Sequence, residues 1–179
     1  GRGALCGPVV AAAVALPWDV DIVGLDDSKK LSADQRTHLA EEIRRVAMVW
    51  GIGSASAVEV EEVNVLQATF RAMRRAIDEA TGVAFEPDLV LVDGPHGVPD
   101  LRWPQKPLVK GDSRSSNIAA ASILAKTWRD EFMRALHKKL PHYGFDRHMG
   151  YGTKVHQLAI AEHGLCSSHR PSFCCRSKK

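Results

Sequence analysis

The 179-residue chain has few cysteines, no long apolar run and almost no charge imbalance, and each shortage excludes a class of protein. The four cysteines stand at positions 6, 166, 174 and 175. Cys174 and Cys175 are neighbours and no C-x-x-C pair occurs, which makes a poor disulfide framework, and a reducing, cytoplasmic compartment is expected. No apolar stretch approaches about 18 residues, which excludes a membrane-spanning helix. The run VVAAAVALP lacks a basic leader and reads as a strand, not a signal peptide. A net charge of +3 permits a polyanionic partner without requiring one. No repeat, low-complexity block or linker interrupts the chain.

What is present suits a globular domain. The composition, 45% hydrophobic and 25% charged, is ordinary, and folding at this length buries roughly 70% of the unfolded surface. The patterns predict a strand over residues 9–16 and a helix from an N-cap at Ser32 to about Val49, with Leu39, Ile43, Val46 and Trp50 on its apolar face. Residues 51–60 read as a strand. An amphipathic helix follows, carrying Val63, Leu66, Phe70, Met73 and Ile77, and Gly82 ends it. Residues 89–92 form a buried-strand pattern stopping at Asp93-Gly94, and residues 94–108 read as a loop. A helix from about Ser115 to Leu140 turns Ile118, Ala121, Leu124, Trp128, Phe132 and Leu136 inward. After a loop over 141–152, Thr153 caps a last helix reaching about His163, and the remainder reads as a loose tail. The expectation is an α/β domain over residues 1–165 and a tail over 166–179.

Two acids end apolar elements. Asp93 closes the run LVLV, at the strand edge where α/β proteins place chemistry, or belongs simply to an Asp-Gly turn. Asp112, in KGDSRS, is either a helix-entry acid favoured by about 0.3–1 kcal/mol or a second member of a site. Two such anions about 4 Å apart repel by ~4 kcal/mol at an effective dielectric near 20, and a bridging Mg²⁺ or Mn²⁺ relieves that repulsion with oxygen ligands. Asp130 reads as a helix-surface or ion-pair residue.

Basic and small residues suit phosphate. Gly1-Arg2-Gly3 sets an arginine between residues that allow close approach. GRGALCG also fits a loose dinucleotide-binding pattern, but Pro8 and a β-like run follow it instead of a helix, which rules that reading out. Ser28-Lys29-Lys30 precedes a helix, as a phosphate contact or a solvated pair. Lys126 lies among Ala125, Thr127 and Trp128 and should meet an anion or snorkel outward. Tyr151, between Gly150 and Gly152, is placed either to stack on a sugar or base or to cover a helix start. His163, Cys166, His169 and Cys174 have the side chains of a zinc site, although neither half matches a finger.

In order along the chain, GRGALCGPVVAAAV, GLDDSKKLS, NVLQAT with AM three residues on, LVDG, VKGDS, IAAASILAKTWRD, YGF, GYGT and HRPSF resemble ribonuclease HII, the bacterial type 2 ribonuclease H. The resemblance covers residues 1 to about 173. It implies a ribonuclease H-like fold, a mixed sheet flanked by helices with a helical C-terminal part. It also implies a monomeric, Mg²⁺- or Mn²⁺-dependent endonuclease. Such an enzyme hydrolyses RNA in RNA–DNA hybrids and cuts 5′ to single ribonucleotides in duplex DNA, leaving a 3′-hydroxyl and a 5′-phosphate. Of the family's four acids, the third matches Asp93 and the fourth Asp112. Gly1, Arg2 and Gly3 match its reader of the ribose 2′-hydroxyl, Tyr151 its junction-sensing tyrosine, and Lys30 and Lys126 basic positions near the substrate backbone. The family's first two acids, an Asp-Glu pair, precede the position of Gly1. Two readings follow: a nuclease whose first strand and first two acids lie upstream of this sequence, or a hybrid-binding remnant that keeps the ribose reader and lacks the cutter.

Overall fold

The computed structural model describes residues 1–25, 31–82 and 85–175. The chain forms two compact units, one of Gly1–Val9, Ala55–Thr69 and Trp128–Lys179, the other of Val10–Ser54 and Phe70–Thr127. No helix among the described residues is long and apolar enough to cross a membrane.

In the second unit, β1 (Val9–Ala15, beginning one residue earlier) pairs with β2 (Val49–Ala55). Between them runs α1 (Ala33–Val46), started as expected by Ser32. The Gln35 N–H donates to Ser32 Oγ at 3.2 Å and the Ser32 N–H donates to Gln35 Oε1 at 2.8 Å, a reciprocal cap. The helix stops at Val46 because Ala47 turns to extended backbone and the Met48 N–H donates to the Ala15 carbonyl. Trp50, expected on the helix, therefore lies in β2, and Ile52 beside it packs into the same core of Ile22, Leu39, Ala40, Ile43, Ala120, Ile123 and Leu124.

The other face of β2 has almost no side chains. Gly51, Gly53 and Ala55 alternate along it and are buried. A Cβ at Gly53 would stand 2.5 Å from the Ala76 nitrogen, and one at Gly51 2.5 Å from the Ala80 nitrogen. Strand and helix thus meet backbone to backbone. The helix is the second part of α2 (Ala57–Thr81), a helical run broken at Asn64, where φ is 68°. The strand predicted over 51–60 ends sooner than expected, since Ala57–Val60 already belong to α2. Ser56 and Glu59 make that helix start, with the Ser56 N–H donating to Glu59 Oε2 and the Glu59 N–H to Ser56 Oγ.

Strand β3 (Val90–Asp93) pairs in parallel with β4 (Gln105–Leu108), in the register Val90–Gln105 to Asp93–Leu108. The loop predicted over 94–108 thus ends in a strand. Its sequence QKPL hides it, because a polar pair and a proline are poor strand signals. After β4, α3 (Ser116–Lys139) begins, and Asn117 Oδ1 accepts the Leu16 N–H at 2.9 Å.

The first unit has its own core of Cys6, Met133, Tyr143, Phe145 and Ala159. Met133 is buried and Phe132 half exposed, the reverse of the expected phase in this part of α3. Two short segments, α4 (Phe145–His148) and α5 (Lys154–His163), follow, the latter capped by Thr153 as predicted. The loose tail expected after His163 is not loose over its described part. His169 and Arg170 are buried, Cys6 and His169 form an antiparallel bridge, and α6 (Pro171–Cys174) follows. The α/β class holds, with a helical C-terminal part. The described strands pair two by two.

Gly53→Ala should lower the unfolding free energy by about 1–3 kcal/mol, since the new methyl meets main-chain atoms of a helix that cannot step aside. Urea denaturation followed by circular dichroism measures it.

Candidate active site

Asp93 is the last residue of β3, and its side chain turns onto the segment after β4. The Gly111 N–H donates to Asp93 Oδ1 at 3.0 Å. Gly111 opens a 3-10 turn, Gly111–Ser113, that contains Asp112. The parallel pairing explains the meeting: neighbouring strands end side by side, so residues following each carboxyl end are brought together. Asp93 is exposed and Asp112 half-buried. Both are at least partly open to solvent.

The turn is held from three directions. Lys110 takes the left-handed conformation (φ 54°, ψ 46°), a strained choice for a residue with a side chain, costing about 1–3 kcal/mol. Its carbonyl accepts the Ser113 N–H and hydroxyl at 3.2 and 2.9 Å. Gly111 is buried, and a Cβ there would stand 2.6 Å from Ile118 Cδ1 and 3.2 Å from Asp93 Oδ1. A methyl there would displace the end of the Ile118 side chain and crowd Asp93, so glycine favours this close approach. The Gly-Asp-Ser elbow therefore fixes Asp112 by main-chain contacts and seats Asp93 against the same turn.

The first unit holds Gly1, Arg2, Gly3 and Tyr151. The three N-terminal residues are exposed, and a Cβ at Gly3 would meet nothing within 4 Å. Their shape comes from two arginines that sequence reasoning did not assign to this role. Arg170 is completely buried. It donates from Nη1 to the Arg2 carbonyl at 3.0 Å, and from Nε and Nη2 to the Gly7 carbonyl at 3.1 and 2.6 Å. Burial first, and the Arg129 charge second, pull its pKa down to about 10, which leaves it protonated at neutral pH. Arg129, also buried, donates from Nε to Pro8, from Nη1 to Met149 and from Nη2 to Cys6, all main-chain carbonyls, at 3.1, 2.9 and 3.0 Å. Its guanidinium lies 5.2 Å from the centre of the Tyr151 ring, within cation–π range. The Leu5 and Cys6 N–H groups both donate to the Gly150 carbonyl. Gly150 itself has φ 78°, and a Cβ on it would press on the Cys6 carbonyl at 2.5 Å.

Other expectations change. Arg129, in the TWRD stretch of the helix, gives its three hydrogen bonds to main-chain carbonyls. Asp130, read from the sequence as a helix-surface or ion-pair residue, is buried, which excludes the first of these readings. Lys126 is half-buried in the second unit. Lys30 lies outside the described residues. A HRPSF segment in an aperiodic end was the available signal for Arg170, but its burial depends on contacts with residues about 160 positions away.

Two solved structures place the fold in a class. A chain in the PCNA:RNase HII complex from Archaeoglobus fulgidus superposes with a TM-score of 0.76 at 25% identity, covering 99% of this chain and 91% of its own. Ribonuclease H2 from Pyrococcus horikoshii gives a TM-score of 0.75 at 21% identity, with 97% and 91% covered. The fold is thus that of the type 2 ribonucleases H. The family model for Ribonuclease HII matches residues 1–176. Among curated relatives, Ribonuclease HII of Syntrophotalea carbinolica is 55% identical over 97% of this chain and 81% of its own length. That of Dechloromonas aromatica is 51% identical over 97% and 86%. The chain belongs to the ribonuclease HII family. Membership makes it an endonuclease of the ribonuclease H type, acting on the RNA of RNA–DNA hybrids.

Arg129→Lys should lower stability by about 2–5 kcal/mol, because an ammonium cannot reach all three carbonyls and leaves buried acceptors unpaired. Chemical denaturation of the pair of proteins checks this.

Proposed function

We propose that this chain also cuts duplex DNA on the 5′ side of a single embedded ribonucleotide, by hydrolysis assisted by divalent cations, leaving a 3′-hydroxyl and a 5′-phosphate. The observation that carries the proposal is the seating of the Asp93 carboxylate on the main chain beside Asp112. The donor set fits the ion: carboxylate oxygens at an exposed and a half-buried position suit hard Mg²⁺ or Mn²⁺, and Asp93 Oδ1 is already oriented by the Gly111 N–H. Asp93 and Asp112 would hold the ions. A divalent pair there supplies Lewis-acid polarisation of the phosphate and a more acidic bound water.

The remaining work falls to the chain's own groups. The glycine main chain of Gly1 and Gly3, with Arg2 between them, offers N–H and guanidinium donors to a ribose 2′-hydroxyl, the one group that separates RNA from DNA at a single nucleotide. The Arg170 bond to the Arg2 carbonyl keeps that segment in one shape before substrate arrives. Tyr151, 38% exposed with Arg129 beneath its ring, presents a stiff aromatic face for stacking on the neighbouring deoxyribose. Lys126 is proposed as a contact to the substrate backbone, as is Lys30.

In the full-length natural protein, Asp93→Asn and Asp112→Asn should each lower the cleavage rate of a duplex bearing one ribonucleotide by at least about 100-fold. Hybrid affinity should stay within about threefold, since neither acid attracts phosphate. Cutting retained by Asp93→Asn overturns the assignment. Tyr151→Ala removes stacking worth about 1–3 kcal/mol and should slow cutting at lone ribonucleotides more than on long hybrids. Equal losses on the two substrates would remove the role given to the tyrosine.

A further inference from the structure

We propose that Cys6, Cys166 and His169 form a binding site for a thiophilic divalent cation, zinc foremost, a ligand set that shares no residue with Asp93 and Asp112. The potential ligand atoms of these residues all lie within 4.8 Å of one another. His169 Nδ1 already stands 3.1 Å from Cys166 Sγ. Tetrahedral zinc, with bonds of about 2.3 Å to sulfur and 2.0 Å to nitrogen, sets neighbouring ligands at about 3.5–3.8 Å. The existing cluster reaches that arrangement with side-chain adjustments of about an ångström.

The main chain frames the cluster. Cys166 and His169 sit at the ends of a turn, with the His169 N–H donating to the Cys166 carbonyl at 3.0 Å. Cys6 faces His169 across the antiparallel bridge, flanked by Gly7 N–H to Ser168 O at 2.8 Å and Arg170 N–H to Leu5 O at 2.8 Å. Three ligands from two segments remote in sequence are thus presented by hydrogen-bonded backbone.

The histidine tautomers fall into line. The Tyr151 carbonyl can only accept, so His156 Nδ1, 2.9 Å away, carries the proton. With the proton on Nδ1, the neutral ring of the fully buried His156 presents Nε2 as an acceptor. His169 Nε2, 3.0 Å from it, must then donate. That leaves the Nδ1 lone pair of His169 turned toward the cysteines, where it now accepts the Cys166 N–H at 2.9 Å. A ligating imidazole usually donates its second N–H to a fixed acceptor, and here His156 is that acceptor.

The ligand chemistry also suits a soft cation. Cys6 is fully buried and Cys166 half-buried, and their sulfur atoms lie within 4.8 Å of each other. A divalent ion would take the place of thiol protons on binding. Cys166 is only half-buried, so the fourth position is open to water. His163 and Cys174, which the spacing of the chain end grouped with this pair, do not join it. His163 lies 3.8 Å from Glu162, and the Cys174 thiol points at the Leu5 carbonyl. The ion would brace the Gly1–Pro8 segment against the chain end and, through His169 and His156, the carbonyl of Tyr151.

The test is a Co²⁺ titration of the reduced, metal-stripped full-length protein. One equivalent should produce thiolate-to-cobalt charge-transfer absorption and tetrahedral ligand-field bands, both erased by Zn²⁺. Carboxylate-bound cobalt gives no charge-transfer band, so the Asp93→Asn/Asp112→Asn double variant should titrate unchanged. Cys166→Ala, at a half-buried position and with its fold checked by circular dichroism, should halve the charge-transfer intensity and weaken binding at least about tenfold. Absence of the band in the unaltered protein, its full retention in Cys166→Ala, or the loss of two titratable thiols without metal uptake would each overturn the proposal. The last outcome would mean that Cys6 and Cys166 pair with each other instead.

Discussion

A buried guanidinium with three main-chain carbonyls around it is the contact on which the first unit depends. Arg129 gathers Cys6, Pro8 and Met149, segments more than 120 positions apart, into one hydrogen-bonded node. Carbonyl oxygens brought together without such a donor would repel, and burying them unpaired is costly. Arg170 does the same for Arg2 and Gly7. Together the two arginines turn a glycine-rich strip, which by itself has little conformational preference, into a defined surface carrying Gly1, Arg2 and Gly3.

The second unit solves a different problem. There Asp93 is held against the turn that carries Asp112, while both acids stay at least partly open to solvent. Parallel pairing of β3 and β4 sets the strand ends side by side, and the Gly111 N–H supplies the one oriented donor that Asp93 needs. The strained Lys110 and the absent side chain of Gly111 are what allow the turn to sit there. The chain-start segment and the turn carrying Asp112 are thus held by unlike devices, buried cations in one case and close-packed backbone in the other.

How far this was legible in the sequence follows from how local each feature is. Ser32 and Thr153 announced their helices because a cap is satisfied within three residues. Asp93 was found at the end of an apolar run, and Asp112 through its elbow and the family resemblance. Trp50 was misplaced because its spacing from Val46 fits a helix face equally well, while the alternating Gly51 and Gly53 that make a strand gain meaning only against α2. Strand β4 escaped because QKPL has the residues of a loop, and its pairing partner lies some fifteen positions earlier. Arg170 falls in the end that reads as a loose tail, and nothing local to it or to Arg129 shows that carbonyls from the chain start surround them. The metal-ligand types at the chain end were visible. The third partner, Cys6, was hidden by the length of the chain.

The glycine face of β2 bears on how this protein can vary. Where side chains separate a strand from a helix, drift in one can be absorbed by a different rotamer in the other. Between Gly51, Gly53 and the alanines of α2 there is no such padding, so the separation behaves like a machined gauge, set by atomic radii alone. Neighbouring parts may be rebuilt around it, but that distance has one value.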